Sequence, residues 1–163
     1  MSTGPDPAAD RHWLTLAVEL SRRCPPSGTA FSVGAVVVAD GREIARGHSR
    51  ETDAHVHAEE SALAKIEAGD ERLQRATVYT SLEPCSNRRS RPDTCTQLIL
   101  RAGIPRVVFA WREPAIFVDC HGAEDLRASG VEVVEMPELA DAVRAVNAHL
   151  VAPSEPPHPS SAM

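Results

Sequence analysis

The sequence has few aromatic residues, no long apolar run and no excess of basic residues. Aromatic side chains make up 4% of the 163 residues, and the formal net charge is −6 at pH 7. A general nucleic-acid binder would carry a basic face and aromatic side chains on which bases stack, so both values argue against that class. No run approaches the roughly 18 apolar residues of a membrane-spanning helix. We therefore expect no nucleic-acid partner and no membrane partner.

The sequence also shows neither an export signal nor an internal repeat. The first residues lack the charged and then apolar pattern of a signal peptide. The lack of this pattern predicts a cytoplasmic location. There, the four cysteines are expected to be metal ligands or free thiols rather than disulfides. No repeat of solenoid period is present. The length of 163 residues predicts one domain with its own hydrophobic core.

Proline and serine concentrate at the two ends of the chain. Residues 1–9 and 152–163 contain little apolar surface that could be buried on folding. We therefore predict two disordered tails there. The folded domain is expected to cover residues 10–151.

Helix and strand patterns alternate between the predicted tails. Strands are predicted over residues 33–38, 43–48, 76–81, 106–111 and 131–134. Helices are predicted from an N-cap at Asp10 to the residues before Pro25, and over residues 57–67, 94–102, 123–128 and 137–150. The Asp40-Gly41 pair is a turn signal that joins the first two strands as a hairpin. A hairpin followed by strand–helix–strand units predicts an α/β fold with a mixed five-stranded sheet and helices on both faces.

One group of residues has the side-chain types of a zinc site. His57 and Glu59 are predicted at the start of a helix, Cys85 follows a proline directly after the third strand, and Cys95 is predicted in the first turn of the next helix. One imidazole and two thiolates are ligands for a catalytic zinc ion, with the fourth position left for water. Zinc-dependent base deaminases have the signature H-x-E followed by P-C-x-x-C. This sequence matches that signature except that its two cysteines lie farther apart.

Glu59 is predicted to be the proton carrier of this site. Zinc lowers the pKa of a bound water molecule to about 7. Glu59 would take a proton from that water and deliver protons to the ring nitrogen of a base and to the departing ammonia. The carboxylate can do this only if it does not itself bind the metal. The predicted chemistry is therefore the hydrolysis of an exocyclic amine.

Two simpler interpretations stay open. A His-x-Glu pair is common on solvated helix faces, and a Pro-Cys pair is common in a turn beside a buried thiol. A structural zinc site is the second alternative, in which Cys24 or Cys120 would be the fourth ligand and no position would be left for water. Structural sites usually contain pairs of closely spaced ligands, which this sequence lacks. Because both motifs are predicted at helix starts that follow strands, the catalytic interpretation is favoured.

The motif residues resemble the cytidine and deoxycytidylate deaminase superfamily, and most of all the deaminase domain of the riboflavin-pathway pyrimidine deaminases. The resemblance is carried by His57-Ala58-Glu59, by Leu82-Glu83-Pro84-Cys85-Ser86 and by the long spacing to Cys95. It implies a three-layer α/β/α cytidine-deaminase-like fold and a homo-oligomer, with a dimer favoured. For the site it implies Zn²⁺ held by His57, Cys85 and Cys95, catalysis by Glu59, and a backbone amide near Ala58 that helps to bind the base.

The substrate implied by this resemblance is a small pyrimidine, the phosphorylated diaminopyrimidine ribosylamino intermediate of riboflavin biosynthesis. Two segments depart from that branch: residues 28–32 lack its usual Asn, and residues 87–94 replace its usual His-His-Gly-Arg-Thr-Pro-Pro loop. Two alternatives are therefore kept. One is a deaminase of a cytosine-type nucleoside, nucleotide or other aminated heterocycle in salvage or secondary metabolism. The other is a deaminase-like binding module without catalysis.

Three arginines, Arg88, Arg89 and Arg91, lie between two of the predicted zinc ligands. A planar guanidinium group binds phosphate through paired N–H groups. We expect Arg88 and Arg91, rather than Arg89, to bind a substrate phosphate, with a solvated loop as the alternative. His48 is a further candidate for substrate binding at the mouth of the pocket, although an ordinary hydrogen-bonded histidine fits the sequence equally well.

Overall fold

A five-stranded sheet forms the centre of the computed structural model, which describes residues 6–87, 92–114 and 120–151. The strands are β1 (Gly34–Ala39), β2 (Arg42–His48), β3 (Ala76–Leu82), β4 (Arg106–Trp111) and β5 (Glu132–Glu135). The described helices are α1 (Pro7–Ser21), α2 (Ala58–Ala64), α3 (Cys95–Ala102), α4 (Gly122–Ala128), α5 (Ala140–Val146) and α6 (Ala148–Val151). Short 3₁₀ helices cover Glu71–Arg75 and Pro137–Leu139. None of the described helices has the length and apolar character needed to cross a membrane.

The sheet is mixed, with strand order β2-β1-β3-β4-β5. β1 is antiparallel to both of its neighbours, whereas β3, β4 and β5 run parallel. Asp40 and Gly41 have φ angles of 54° and 75°, as a two-residue hairpin turn between β1 and β2 requires. All of β1 is buried, which explains its continuous run of small and β-branched apolar residues. The predicted mixed sheet and its opening hairpin are confirmed.

Helices cover both faces of this sheet. One core cluster contains Leu14 of α1 and Val143 of α5 together with Val36 of β1. The other contains Ile99 of α3 together with Val37 of β1. Neighbouring residues of β1 belong to different clusters because successive side chains of a strand point to opposite faces. The predicted three-layer α/β/α arrangement is therefore confirmed.

The predicted start of the first helix is wrong. α1 begins at Pro7, and its N-cap is Asp6, whose side chain accepts a backbone N–H of the first turn. Residues 7–9 therefore belong to the helix and not to a disordered tail. Asp10, the predicted N-cap, lies inside α1 and is buried, because its carboxylate is bound by side chains of the sheet.

Two further helices differ from the prediction. The helix expected over residues 57–67 is shorter, since α2 ends at Ala64 and the next backbone N–H groups make the tighter bonds of a closing turn. The long helix expected over residues 137–150 is a 3₁₀ helix followed by two short α-helices that meet at Asn147. The side chain of Asn147 is buried and binds the backbone of Ser32, far away in the sequence.

One edge of the sheet collects the ends of four strands. β2, β3 and β4 all run toward this edge, and β1 begins there, because β1 is antiparallel to its neighbours. The described parts of the connections at this edge include residues 25–33, 49–57, 83–87 and 112–114. A small cluster of buried apolar residues lies at this edge and consists of Phe31, Val33, Ala35, Ala58 and Leu82. Open α/β sheets bind ligands at such edges.

Candidate active site

Three side chains from separate segments meet at this edge: His57, Cys85 and Cys95. His57 is the N-cap of α2 and has extended backbone angles, Cys85 lies in the connection after β3, and Cys95 is the first residue of α3. Nδ1 of His57 lies 3.5 Å from Sγ of Cys85 and 3.4 Å from Sγ of Cys95. The three ligand atoms lie within 4.8 Å of one another, and no second group of this kind is found in the part of the chain that the structure describes.

These distances fit a single zinc ion. Bonds of about 2.3 Å to sulfur and about 2.0–2.1 Å to nitrogen, at a tetrahedral angle, place sulfur and nitrogen about 3.5 Å apart. Cys24 and Cys120 do not belong to the group, since their thiols face the carbonyl oxygens of Val33 and Pro84. The described residues therefore offer three protein ligands, rather than the four of a closed structural site.

The neighbours of Cys85 lower the pKa of its thiol. Hydrogen bonds from Cys95 and His57 hold the pKa of Cys85 well below its usual range, against the opposing effect of burial. The backbone N–H of Cys95 also points at Sγ of Cys85, at a distance of 3.2 Å. A lowered pKa favours the thiolate, which is the form that binds a metal.

Glu59 lies beside the ligand group without belonging to it. Its side chain, in the first turn of α2, is buried, and the hydroxyl of Thr80 on β3 donates a hydrogen bond to its Oε1. The pKa of Cys95 is raised by the hydrogen bond to Cys85, by burial and by the carboxylate of Glu59, so Glu59 is a direct neighbour of this thiol. A carboxylate placed next to a metal site but outside its ligand set is free to exchange protons.

Two further polar residues lie at the site: Thr80, which is buried and was missed by the sequence analysis, and Glu113, which is half-buried. Thr80 lies within a mostly buried strand, and its only sequence signal is a hydroxyl in a predicted strand. Glu113 follows β4, and its Oε2 is buried with no hydrogen-bond partner among the described residues. Burial raises the pKa of Glu113 to about 7, although a hydrogen bond with Cys120 acts to lower it. The charge of Cys85 raises this pKa further, and the charge of His57 lowers it. The carboxyl group of Glu113 therefore lies near the ligand group, and an unpartnered buried oxygen is costly unless a ligand binds it.

The other predicted site residues fall in different places. Ala58 is fully buried in the first turn of α2. His48 is the last residue of β2, at the same sheet edge, and its Nδ1 is hydrogen-bonded to the carbonyl oxygen of Ser49. Arg88 and Arg91 lie outside the described residues.

Known proteins resemble this chain over most of its length. Residues 7–111 match the model of the family described as the cytidine and deoxycytidylate deaminase zinc-binding region. The chain is 37% identical over 131 residues to a diaminohydroxyphosphoribosylamino-pyrimidine deaminase of Schizosaccharomyces pombe, a match that covers 79% of this chain and 32% of that protein. It is 38% identical over 128 residues to the riboflavin biosynthesis protein RibD of Aquifex aeolicus, a match that covers 76% of this chain and 34% of that protein.

A solved structure shows the same fold. The diaminohydroxyphosphoribosylaminopyrimidine deaminase/5-amino-6-(5-phosphoribosylamino)uracil reductase of Thermotoga maritima superposes with a TM-score of 0.73 at 33% identity. The superposition covers 85% of this chain and 39% of that one. This chain spans about a third of the length of the two curated relatives, which it matches over 32% and 34% of their residues.

The fold and the composition of the site are those of the zinc-dependent hydrolases that remove amino groups from nucleobases. Within this class, the chain belongs to the family of the cytidine and deoxycytidylate deaminase zinc-binding region, since that family model matches more than half of its residues. The family resemblance predicted from the sequence is therefore confirmed. Zinc as the cofactor of this family is confirmed as well.

Proposed function

We propose that this chain is a zinc-dependent deaminase of a small aminopyrimidine, the phosphorylated diaminopyrimidine ribosylamino intermediate of riboflavin biosynthesis. The reaction adds water at the ring carbon that carries the amino group, breaks the carbon–nitrogen bond and releases ammonia, which leaves a carbonyl on the ring. The main observation that supports the proposal is the position of Glu59. Its buried carboxylate lies next to the group of three ligands but does not belong to that group.

His57, Cys85 and Cys95 are the proposed zinc ligands. Zinc bound by these residues supplies a water molecule whose pKa is near 7. The spacing of the three ligand atoms and the lowered pKa of Cys85 support this assignment. The exclusion of Cys24 and Cys120 from the group supports a site with a position left for water.

Glu59 is the proposed catalytic residue. Its carboxylate accepts a proton from water and donates it to the ring nitrogen. It then accepts the second proton from the hydroxyl formed on the ring carbon and passes it to the amine, which leaves as ammonia. Such transfers need a carboxylate that is held at hydrogen-bonding distance from its partners. The hydroxyl of Thr80 supports this role, because it fixes one oxygen of the carboxylate in a buried position.

The proposed substrate is supported by the relatives and by the groups around the ligands. Two curated relatives at 37% and 38% identity are named for a riboflavin-pathway deaminase or for riboflavin biosynthesis. The backbone N–H of Ala58, in the first turn of α2, has no partner within the helix and is proposed to bind the base. The Oε2 of Glu113, which has no partner in the part of the chain that the structure describes, is suited to accept a hydrogen bond from an aminopyrimidine, which carries several N–H donors. His48 is proposed to contact the substrate from the end of β2.

Arg88 and Arg91 are proposed to bind the substrate phosphate. This proposal rests on their side-chain type and on their position between Cys85 and Cys95. Arg88→Ala and Arg91→Ala should each raise KM for the phosphorylated substrate by about tenfold, equivalent to about 1.4 kcal/mol. Neither change should affect KM for the dephosphorylated substrate. Arg89→Ala is the matched control, and three equal effects would contradict the proposal.

Ammonia release from the zinc-loaded protein tests the activity and the substrate together. The substrate panel contains the riboflavin intermediate, its dephosphorylated form, cytosine, cytidine, deoxycytidine, their 5′-monophosphates and guanine. Turnover of the riboflavin intermediate should fall by about 10²–10⁴-fold in Glu59→Gln, with zinc content unchanged. The exposed Glu67→Gln is the matched control and should keep full turnover.

Other outcomes of this assay separate the alternatives. Turnover of a cytosine-type nucleoside or nucleotide in place of the riboflavin intermediate would overturn the substrate but keep the deaminase. Zinc binding without any turnover would favour the binding module. A homo-oligomer, with a dimer favoured, and a cytoplasmic location stay predictions. Light scattering of the purified protein and fractionation of cells would test them.

A further inference from the structure

The turn that carries Cys85 is held by a buried carboxyl group that the proposed reaction does not use. Glu83, which precedes this turn, is 3% exposed. Its Oε1 accepts the backbone N–H of Glu113 at 3.1 Å, and its Oε2 accepts the backbone N–H of Ala123 at 3.0 Å. Its own backbone N–H donates to the carbonyl oxygen of Trp111 at 2.8 Å. Glu83 therefore ties the connection after β3 to the connection after β4 and to the beginning of α4.

The same turn packs against α4 backbone to backbone at Gly122. A Cβ atom at Gly122 would lie 1.8 Å from the carbonyl oxygen of Pro84, so only glycine fits without a movement of the turn. The thiol of Cys120 donates to that same carbonyl oxygen at 3.3 Å. The backbone N–H of His121 donates to Oγ of Ser86 at 2.6 Å. The segment from Cys120 to Gly122 thus contacts the residues on both sides of Cys85.

We propose that Glu83 and Gly122 are positioning residues for the zinc ligand Cys85. Thr96 completes the arrangement, since its N–H and its hydroxyl bind the carbonyl oxygen of Cys85 at 3.1 and 2.8 Å. With the backbone held on both sides of the ligand, Sγ of Cys85 is placed for the metal before the metal binds. Groups that orient metal ligands typically contribute about 10–100-fold to metal affinity. The inference rests on the proposed zinc ligands and does not depend on the proposed substrate.

Two substitutions disturb this arrangement in different ways. Glu83→Gln keeps the size of the side chain but replaces one acceptor by a donor, so one of the two bound N–H groups loses its partner. Gly122→Ala removes no hydrogen-bonding group but forces a methyl group against the carbonyl oxygen of Pro84. Each substitution has a matched control: Glu67→Gln changes an exposed residue, and Gly28→Ala adds a methyl group where no atom lies within 4 Å.

The experiment measures the zinc dissociation constant of the full chain by competition with a chelating dye. Both Glu83→Gln and Gly122→Ala should raise this constant by about 10–100-fold, and both controls should stay within about twofold of the parent. The visible absorption of the cobalt-loaded protein should change in the same two variants, because cobalt bands report the geometry of the ligands. The melting temperature of the metal-free protein is measured separately, since a purely structural role would lower it without changing the zinc affinity of the folded protein.

An unchanged zinc dissociation constant in either variant that folds would overturn the proposal. Failure of both variants to fold, with normal controls, would also overturn it, because the contacts would then support the whole domain rather than the ligand. Zinc affinity is measured without substrate, so it separates this inference from the proposed function. The parent protein could turn over no substrate of the panel while both variants still bind zinc more weakly. That result would support the inference and overturn only the substrate assignment.

Discussion

The hydroxyl of Thr80 donates a hydrogen bond to Oε1 of Glu59, and both side chains are buried. Thr80 belongs to a central strand and Glu59 to the helix that covers it, so this contact exists only in the folded protein. The bond leaves the carboxylate beside Cys95 with little freedom to turn. The position of the proposed proton carrier therefore depends on a residue of the sheet that has no catalytic chemistry of its own.

Loss of this hydroxyl should slow the reaction without unfolding the protein. Thr80→Val keeps the shape of the side chain and removes the donor, and we expect kcat to fall by about tenfold, as expected for one lost hydrogen bond of about 1.4 kcal/mol. Steady-state kinetics with the zinc-loaded protein measure this change. Thr77→Val, on the same strand but only half-buried, is the matched control. An equal loss in both variants would indicate a general effect of threonine replacement in β3.

Zinc content should depend on two of the four cysteines only. Cys85→Ser and Cys95→Ser should lose bound zinc, because each removes a thiolate from the three-ligand group. Cys24→Ser and Cys120→Ser should keep one zinc ion per chain, since both thiols lie outside the group. Atomic absorption of the purified variants gives the stoichiometry. A loss of zinc in Cys24→Ser or in Cys120→Ser as well would restore the structural-site alternative.

The buried pair of Asp10 and Arg106 should make stability depend on pH. Both side chains are nearly inaccessible, at 6% and 11% exposure, and their charged groups approach to 2.7 Å. Burial alone would raise the pKa of Asp10, but the hydrogen bonds from Arg106 and Tyr79 outweigh it and lower that pKa below its ordinary value. Because the unfolded pKa is about 3.9 and the folded pKa is lower, the pair contributes fully above about pH 4 and loses its contribution as the pH falls further.

Asp10→Asn tests this pH dependence. The free energy of unfolding at pH 7 should fall by on the order of 3 kcal/mol, the lower end of the cost of a broken buried ion pair. The difference from the parent should shrink as the pH is lowered toward 3. Urea denaturation at both pH values measures it. Asp40→Asn breaks an exposed pair with Arg75 and is the control, because exposed pairs contribute little. A difference that grows toward acid pH would contradict the sign argued here.

Asn147 should stabilise the connection before β1. Its Oδ1 accepts the N–H of Ser32 at 2.7 Å, and its Nδ2 donates to the carbonyl oxygens of Ser32 and Val143, each at 3.1 Å. Asn147→Ala should therefore lower the free energy of unfolding by about 1–3 kcal/mol, the cost of unsatisfied buried polar groups. Urea denaturation measures the change. Asn87→Ala, at an exposed position, should cost less than about 0.5 kcal/mol. Equal effects of the two changes would show that burial at Asn147 does not matter.

Local patterns predicted most elements but not all of their ends. β4 was expected over residues 106–111 and covers Arg106–Trp111, because a β-branched run with turn signals on both sides depends only on neighbouring residues. An acidic residue before an apolar stripe favours a helix cap, which is why the sequence predicts one at Asp10. Its true partners, Arg106 and Tyr79, come from strands that follow much later in the chain. The break at Asn147 has the same cause, because its partner Ser32 is equally distant in the sequence.

The sequence alone is enough to predict the side-chain types of the site, namely one imidazole, two thiols and a carboxylate at predicted starts of helices or ends of strands. It determined the family for the same reason, because these residue types and spacings are local features of the chain. The groups that surround these side chains depend on the three-dimensional fold. Thr80 donates a hydrogen bond to Glu59, Glu113 lies near the ligands, and Glu83 accepts the backbone N–H of Ala123. Each of these contacts joins segments that the strand order brings to one edge of the sheet. A hydrogen bond between such segments cannot be predicted from the local sequence pattern of either segment.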